Sequence, residues 1–154
     1  MTTTNNRIHS KGPYTHEEYN AGEAGIYPGM LLKLDADGDV TMHATEGGRA
    51  EAMFAEEDAL QGKTVDDVYT VDEVCSVILP GLGSEVRARF QDGVDLDIGD
   101  RVVSGGDGTL IGLDTLDSEA VDIFVIGVMM EALDLTGSEA STERLARIRI
   151  TGGN

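Results

Sequence analysis

LDADGDV, residues 34–40, can be read in two ways that lead to two different folds. Asp35, Asp37 and Asp39 alternate as the first ligands of an EF-hand calcium loop do, and Glu46 stands at that loop's last position. Such a loop needs glycine at its sixth position, however, and this chain has Val40 there, with Gly38 two places early. The flanks also alternate with a period of two. Met30, Leu32 and Leu34 precede the turn, and Val40 and Met42 follow it, where an EF-hand would carry amphipathic helices. Asp37-Gly38 sits where a two-residue type I′ turn needs positive φ at both central positions. The stretch is read as the tip of a β-hairpin. Cation contact at Asp35, Asp37 and Asp39 is the alternative.

Working outward, the same period recurs. EVCSVILP (73–80) and SEVRARF (84–90) are β-rich runs separated by Gly-Leu-Gly. GDRVVSGGDGTLIGL (99–113) reads as a hairpin closed at Asp107-Gly108, and a short strand is expected around Ala52 to Ala55. The apolar stretch AVDIFVIGVMMEALDL (120–135) favours strand through its Val, Ile and Phe, TGSEAST (136–142) is a loop, and ERLARIRI (143–150) closes the fold. One helical turn is expected in KTVDDVYTVDE, with Thr64 as N-cap and Asp66 and Asp67 in the first turn. Residues 1–25 carry little apolar periodicity and only Tyr14 and Tyr19 as large anchors. They read as an extended N-terminal arm before a β-rich domain over 26–154. The expected architecture is mainly β, a compact β-barrel or β-sandwich with one minor helix.

Bulk composition agrees. A chain of 154 residues with 40% hydrophobic content can bury a core without staples. Only 5% aromatic content with 20 glycines suits short strands and tight turns. No apolar run approaches a membrane span, and the polar N-terminus lacks the apolar stretch of a signal peptide. A soluble protein made in a cytoplasm is expected. The 29 acids against 11 bases give a net charge of −18, a field that repels phosphate backbones and anionic lipid. Nucleic acid and membrane are therefore not expected partners. Lysine appears only at 11, 33 and 63, whereas arginine appears eight times. Dense carboxylate with little lysine resembles the surfaces of proteins from halophiles; an ordinary acidic mesophilic protein is the alternative.

No catalytic or cofactor-binding constellation stands out. His9, His16 and His43 have no metal-ligand spacing with one another or with Cys75, which reads as a small buried hydrophobe. There is no HExxH, GxSxG or phosphate loop, and Gly105-Gly106-Asp107-Gly108 lacks the Lys-Ser/Thr and helix that a phosphate cradle requires. Acid pairs such as Glu56-Glu57 and Asp66-Asp67 are expected by chance in so acidic a chain.

Several segments, taken in order, resemble the head-decoration (capsid cement) proteins of tailed phages and related archaeal viruses. Their hairpin motif PG-x-L-hydrophobic-DG corresponds to Pro28 to Gly38, HAT-x-GG to His43 to Gly48, and FA-x-ED-x-L-G to Phe54 to Gly62. The GD-x-V strand ending in DGTL corresponds to Gly99 to Leu110, and IGV-x-x-EA to Ile126 to Ala132. The resemblance spans about residues 21–133. It implies a β-tulip-like domain with no cofactor or catalytic residue, bound to the outside of an HK97-type shell, commonly as trimers at local three-fold positions. The implied partners are a major capsid protein and further copies of the chain. Arg7, Lys11, Tyr14 and Tyr19 of the arm are the candidate capsid contacts. The rival readings are a small-ligand-binding or enzymatic β-barrel and a cation-stabilised surface-layer or adhesion module.

Overall fold

A computed structural model describes residues 7–116, 122–137 and 144–151. Six strands form the larger sheet, in the spatial order β1 (His9–Lys11), β7 (Glu85–Arg89), β13 (Leu145–Ile150), β11 (Gly127–Met129), β9 (Arg101–Ser104) and β10 (Leu110–Gly112). A second sheet runs β2 (Tyr14–Asn20), β6 (Val74–Pro80), β5 (Phe54–Ala55). Two ribbons complete the fold: β3 (Leu32–Leu34) with β4 (Val40–Met42), and β8 (Asp95–Leu96) with β12 (Leu133–Asp134). All these pairs are antiparallel. The mainly β expectation holds. The loop read at TGSEAST lies outside the described residues from 138 to 142.

β6 explains the layering. A strand sends successive side chains to opposite faces, so a strand with a core on each side reads as a nearly unbroken apolar run. Ile78 enters the larger hydrophobic cluster with Phe54, Leu31 and Phe90. Its neighbours Cys75 and Val77 enter a smaller one with Ala21, Ile26, Leu32, Ala55 and Tyr69. Phe54 and Ala55 divide in the same way, as do Leu31 and Leu32. The VCSVILP run is thus a wall between two cores. Each fully buried large side chain in it contributes about 1.5–3 kcal/mol.

Gly81-Leu82-Gly83 carries the chain from one sheet to the other, because β6 pairs with β2 and β5 whereas β7 pairs with β1 and β13. The larger sheet curls until Phe90, just past β7, makes an isolated parallel bridge to Leu110 of β10. The Gln91 N–H donates to the Leu110 carbonyl at 3.0 Å beside it. This seam is a single bridge and not a ladder, so within the expected compact β fold the larger sheet is open and curled and does not close into a barrel.

Three local expectations are corrected. First, the hairpin exists with Leu34 opposite Val40, but its turn is not type I′. The Gly38 N–H donates to the Asp35 carbonyl at 3.1 Å, and the Asp35 N–H to the Asp39 carbonyl at 2.9 Å. Gly38 has φ +82°, while Asp72 is the only non-glycine with positive φ among the described residues. Asp37 therefore keeps negative φ, and Gly38 alone supplies the left-handed residue of a longer loop. Second, KTVDDVYT forms no α-helix. Thr64 and Asp67 do bond reciprocally, the Thr64 N–H reaching Asp67 Oδ2 at 2.6 Å and the Asp67 N–H reaching the Thr64 carbonyl at 3.1 Å. Tyr69 then leaves the turn to pair with Ile26, and the helical content lies instead in 3₁₀ turns at Ala59–Gln61 and Leu113–Thr115.

The third correction concerns residues 1–25. Within the described part, residues 8–21 are built into the sheets and are not an arm. β2 pairs with β6 over its full length, His9 pairs with Val86, and Ile8 and Ala21 are fully buried. The alternation in YTHEEYN is weak because β2 lies at the edge of its sheet with little of its surface covered.

Candidate functional site

A groove of about 790 Å³ opens between the β2–β6 pair and the 56–64 loop. Its floor is the outer face of β2 and β6, carrying His16, Glu18, Val74 and Ser76. Its wall is the 56–64 loop, capped by Leu60, which is 99% exposed.

Glu56 and Glu57, read from sequence as a chance pair, are both buried. Their roles differ. Glu57 Oε2 accepts the Ile8 backbone N–H at 2.9 Å, and Arg7 Nε lies 3.9 Å from its other oxygen. Burial raises the Glu57 pKa above the ordinary carboxylate value, with the bond from Ile8 pulling the other way. Glu56 Oε2 accepts the Ser76 hydroxyl at 3.1 Å, and His16 Nε2 lies 2.7 Å from the same hydroxyl oxygen.

A serine, a histidine and a glutamate within hydrogen-bond reach invite comparison with a nucleophilic triad. In such a triad the hydroxyl donates to the imidazole, and the carboxylate holds the far ring nitrogen. Here the single hydroxyl proton points to Glu56, so His16 Nε2 must donate to Ser76 Oγ. Glu56 also lies 3.7 Å from that same ring nitrogen and not from Nδ1. The arrangement is a polar clasp joining β2, β6 and the loop. Sequence could not show it, because the three residues are 16, 56 and 76.

His43, unlike the exposed His16, is buried. Nε2 lies 2.9 Å from the Arg49 carbonyl, which can only accept, and Nδ1 lies 2.7 Å from Ser104 Oγ. It ties the HAT-x-GG loop to β9. Cys75 is buried as expected, and desolvation pushes its thiol up to about 12, the opposite of an activated nucleophile. In the hairpin, Asp35 Oδ1 accepts the Asp37 and Asp39 N–H groups at 2.9 and 3.0 Å. That carboxylate closes its own loop. No group of three or more His, Cys, Asp or Glu side chains is placed to hold a metal ion among the described residues.

The four arm residues separate. Arg7 is largely exposed, and its carbonyl accepts from Arg87 Nη1 at 3.2 Å. Lys11 is exposed at the end of β1, opposite Glu85. Tyr14 stacks on His9 with ring centroids 4.1 Å apart and remains 39% exposed. Tyr19 packs against the smaller core and donates its hydroxyl to Glu17. Arg7 and Lys11 thus share one sheet edge, Tyr14 flanks it, and Tyr19 belongs to another surface.

No protein-family model and no curated protein sequence matches the chain. Among solved structures, the fold is similar to that of the head fiber gp8.5 N base of bacteriophage phi29, with a TM-score of 0.55. The alignment covers 92% of this chain and 98% of that one at 15% identity, so the two share an architecture over nearly their whole lengths.

Proposed function

We propose that the protein is a structural component of a virion, held on the outer surface of an icosahedral head. The observation that carries this reading is the full-length likeness to the base of a phage head fiber. That likeness is independent of the five ordered motifs that resemble capsid cement proteins. On this reading the partners are a major capsid protein of HK97 type and further copies of the chain. A trimer at local three-fold positions then stabilises the shell as decoration proteins do. The protein is made in a host cytoplasm and ends on the particle. The −18 charge suits a particle that stays dispersed in strong salt, as a virus of a halophile must.

No step of this role needs catalysis, and the groove chemistry favours none. His16, Ser76 and Glu56 are joined in the wrong order for nucleophilic attack. The enzymatic reading would return if the protein hydrolysed activated esters and Ser76→Ala abolished the activity.

The direct test is co-sedimentation of the full chain with capsids lacking it, together with a cryo-EM map of the decorated particle. Deleting residues 1–25 is not a usable test, since it removes β1, β2 and two fully buried core residues. Lys11→Glu and Tyr14→Ser keep the core intact and probe the same region. Capsids that pellet without the wild-type protein would overturn the proposal.

A further inference from the structure

The bases of this acidic chain are gathered on one face of the larger sheet. Cross-strand partners share a face. Lys11 lies opposite Glu85, Glu85 opposite Arg149, Arg149 opposite Val128, and Val128 opposite Arg101. The next row pairs Arg87 with Arg147, and the third pairs Arg89 with Leu145. Lys11, Arg87, Arg89, Arg101, Arg147 and Arg149 are thus six of the chain's 11 Lys and Arg residues. The opposite face of the same strands is the apolar core of Val86, Ala88, Ala146, Ile148, Met129 and Val102.

Part of this charge is left without a carboxylate partner of its own among the described residues. Glu85 is buried, and its one carboxylate faces both Arg147, at 3.1 Å, and Arg149, at 3.4 Å. Glu131 Oε1 accepts the Arg147 backbone N–H at 2.9 Å. Arg89 is committed to the fold, donating to the Pro28 carbonyl at 3.0 Å and the Val65 carbonyl at 2.8 Å. Arg101 borders a hollow of about 240 Å³ that also holds Asp95, Asp100 and Asp114. Arg87 has no carboxylate within 4 Å among the described residues, while Arg147 and Arg149 keep 37% and 46% of their side chains exposed. Arg87, Arg147, Arg149 and Lys11 form a basic centre with one shared counterion.

We infer that this face is a contact between copies of the chain, docking on the acidic surface of a second copy. The second copy qualifies by charge complementarity, carrying 29 acids against 11 bases. Two basic faces would repel if set against each other. Each basic face therefore meets an acidic surface of its neighbour, either reciprocally about a two-fold axis or head-to-tail in a ring or filament. The inference specifies the interface of the oligomer in the proposed function. It does not depend on that oligomer binding a shell.

Sedimentation velocity of the full chain across a wide concentration range tests it. The wild type is expected as an oligomer. The double variant Arg87→Glu/Arg149→Glu is expected as a monomer, with association weakened about a hundredfold or more. Arg87→Lys/Arg149→Lys should assemble as the wild type does. Thermal melting checks that each variant folds, and Arg87→Gln/Arg149→Gln gives the reading if the charge reversal does not. A monomeric wild type, or assembly unchanged in the reversed variant, overturns the inference. It is also overturned if the reversal leaves assembly intact but removes binding to heparin or duplex DNA. Capsid pelleting is scored separately: assembly that follows the arginines without particle binding refutes the shell and keeps this contact.

Discussion

Glu57 Oε2 accepts the backbone N–H of Ile8 at 2.9 Å, across 49 residues of sequence. This bond fastens the chain entering β1 to the wall of the groove. Glu57→Ala would leave the buried Ile8 N–H without an acceptor, at a cost of about 1–3 kcal/mol. Chemical denaturation should read that loss, and hydrogen exchange should show the Ile8 amide opening before the β7–β13 ladder. Unchanged protection at Ile8 would mean the bond is not holding the strand.

The same carboxyl has an unusual pH signature. Burial raises its folded pKa above the unfolded value, so the folded protein holds this proton more tightly than the unfolded chain does. The Glu57 contribution to stability is therefore largest below the unfolded pKa of about 4.3 and falls as pH rises through the folded pKa. Measured as wild type minus Glu57→Gln, the unfolding free energy should decline as pH rises from the unfolded pKa of about 4.3 through the raised folded pKa. A difference that stays constant over that range, or rises, would contradict the assignment.

Gly127 is required for a close approach and not for an unusual φ. A Cβ there would lie 2.3 Å from the Arg149 carbonyl oxygen and 3.1 Å from its carbon. Both are backbone atoms of the paired strand β13 and cannot swing away. Gly127→Ala should cost about 1–3 kcal/mol by forcing β11 from β13, lowering Tm by several degrees. Gly38→Ala provides a contrast, since nothing lies within 4 Å of its Cβ and only the positive φ is strained. Its cost should be about 1 kcal/mol.

The hairpin tip offers a test of the cation reading. Asp35 caps its own loop through two N–H bonds, which Asn can reproduce and Ala cannot. Asp35→Asn should melt with the wild type, and Asp35→Ala should lose about 1 kcal/mol. Melting should be the same in calcium and in chelator. A calcium-dependent rise that Asp35→Asn removes would restore a metal role.

Much of the fold was legible because alternation is a local signal. β3, β4, β7, β9, β10 and β13 follow the period-two runs, and the turns carry glycine where a left-handed residue is needed. β1 and β2 were not legible. Their residues are polar because an edge strand hides little surface, so YTHEEYN looks like an arm although β2 pairs along its whole length with β6. The hairpin was identified correctly and its turn type was not. The Asp-Gly pair alone does not show that Asp35 would take both N–H groups.

The candidate surfaces were hidden for a related reason. Arg87, Arg101, Arg147 and Arg149 look scattered in the chain, and the excess of arginine over lysine was the only hint of a common purpose. The sheet register places them side by side, and it also sets Glu85 beneath two of them. By itself, then, the sequence determined the β class, the positions of most strands and the acidic surface, since periodicity and charge are properties of neighbours along the chain. Only the tertiary structure decided that β6 divides two cores, that the curled sheet stays open, and that the bases share one face. Those features depend on which strands pair and in what register, a choice made by contacts between residues far apart in sequence.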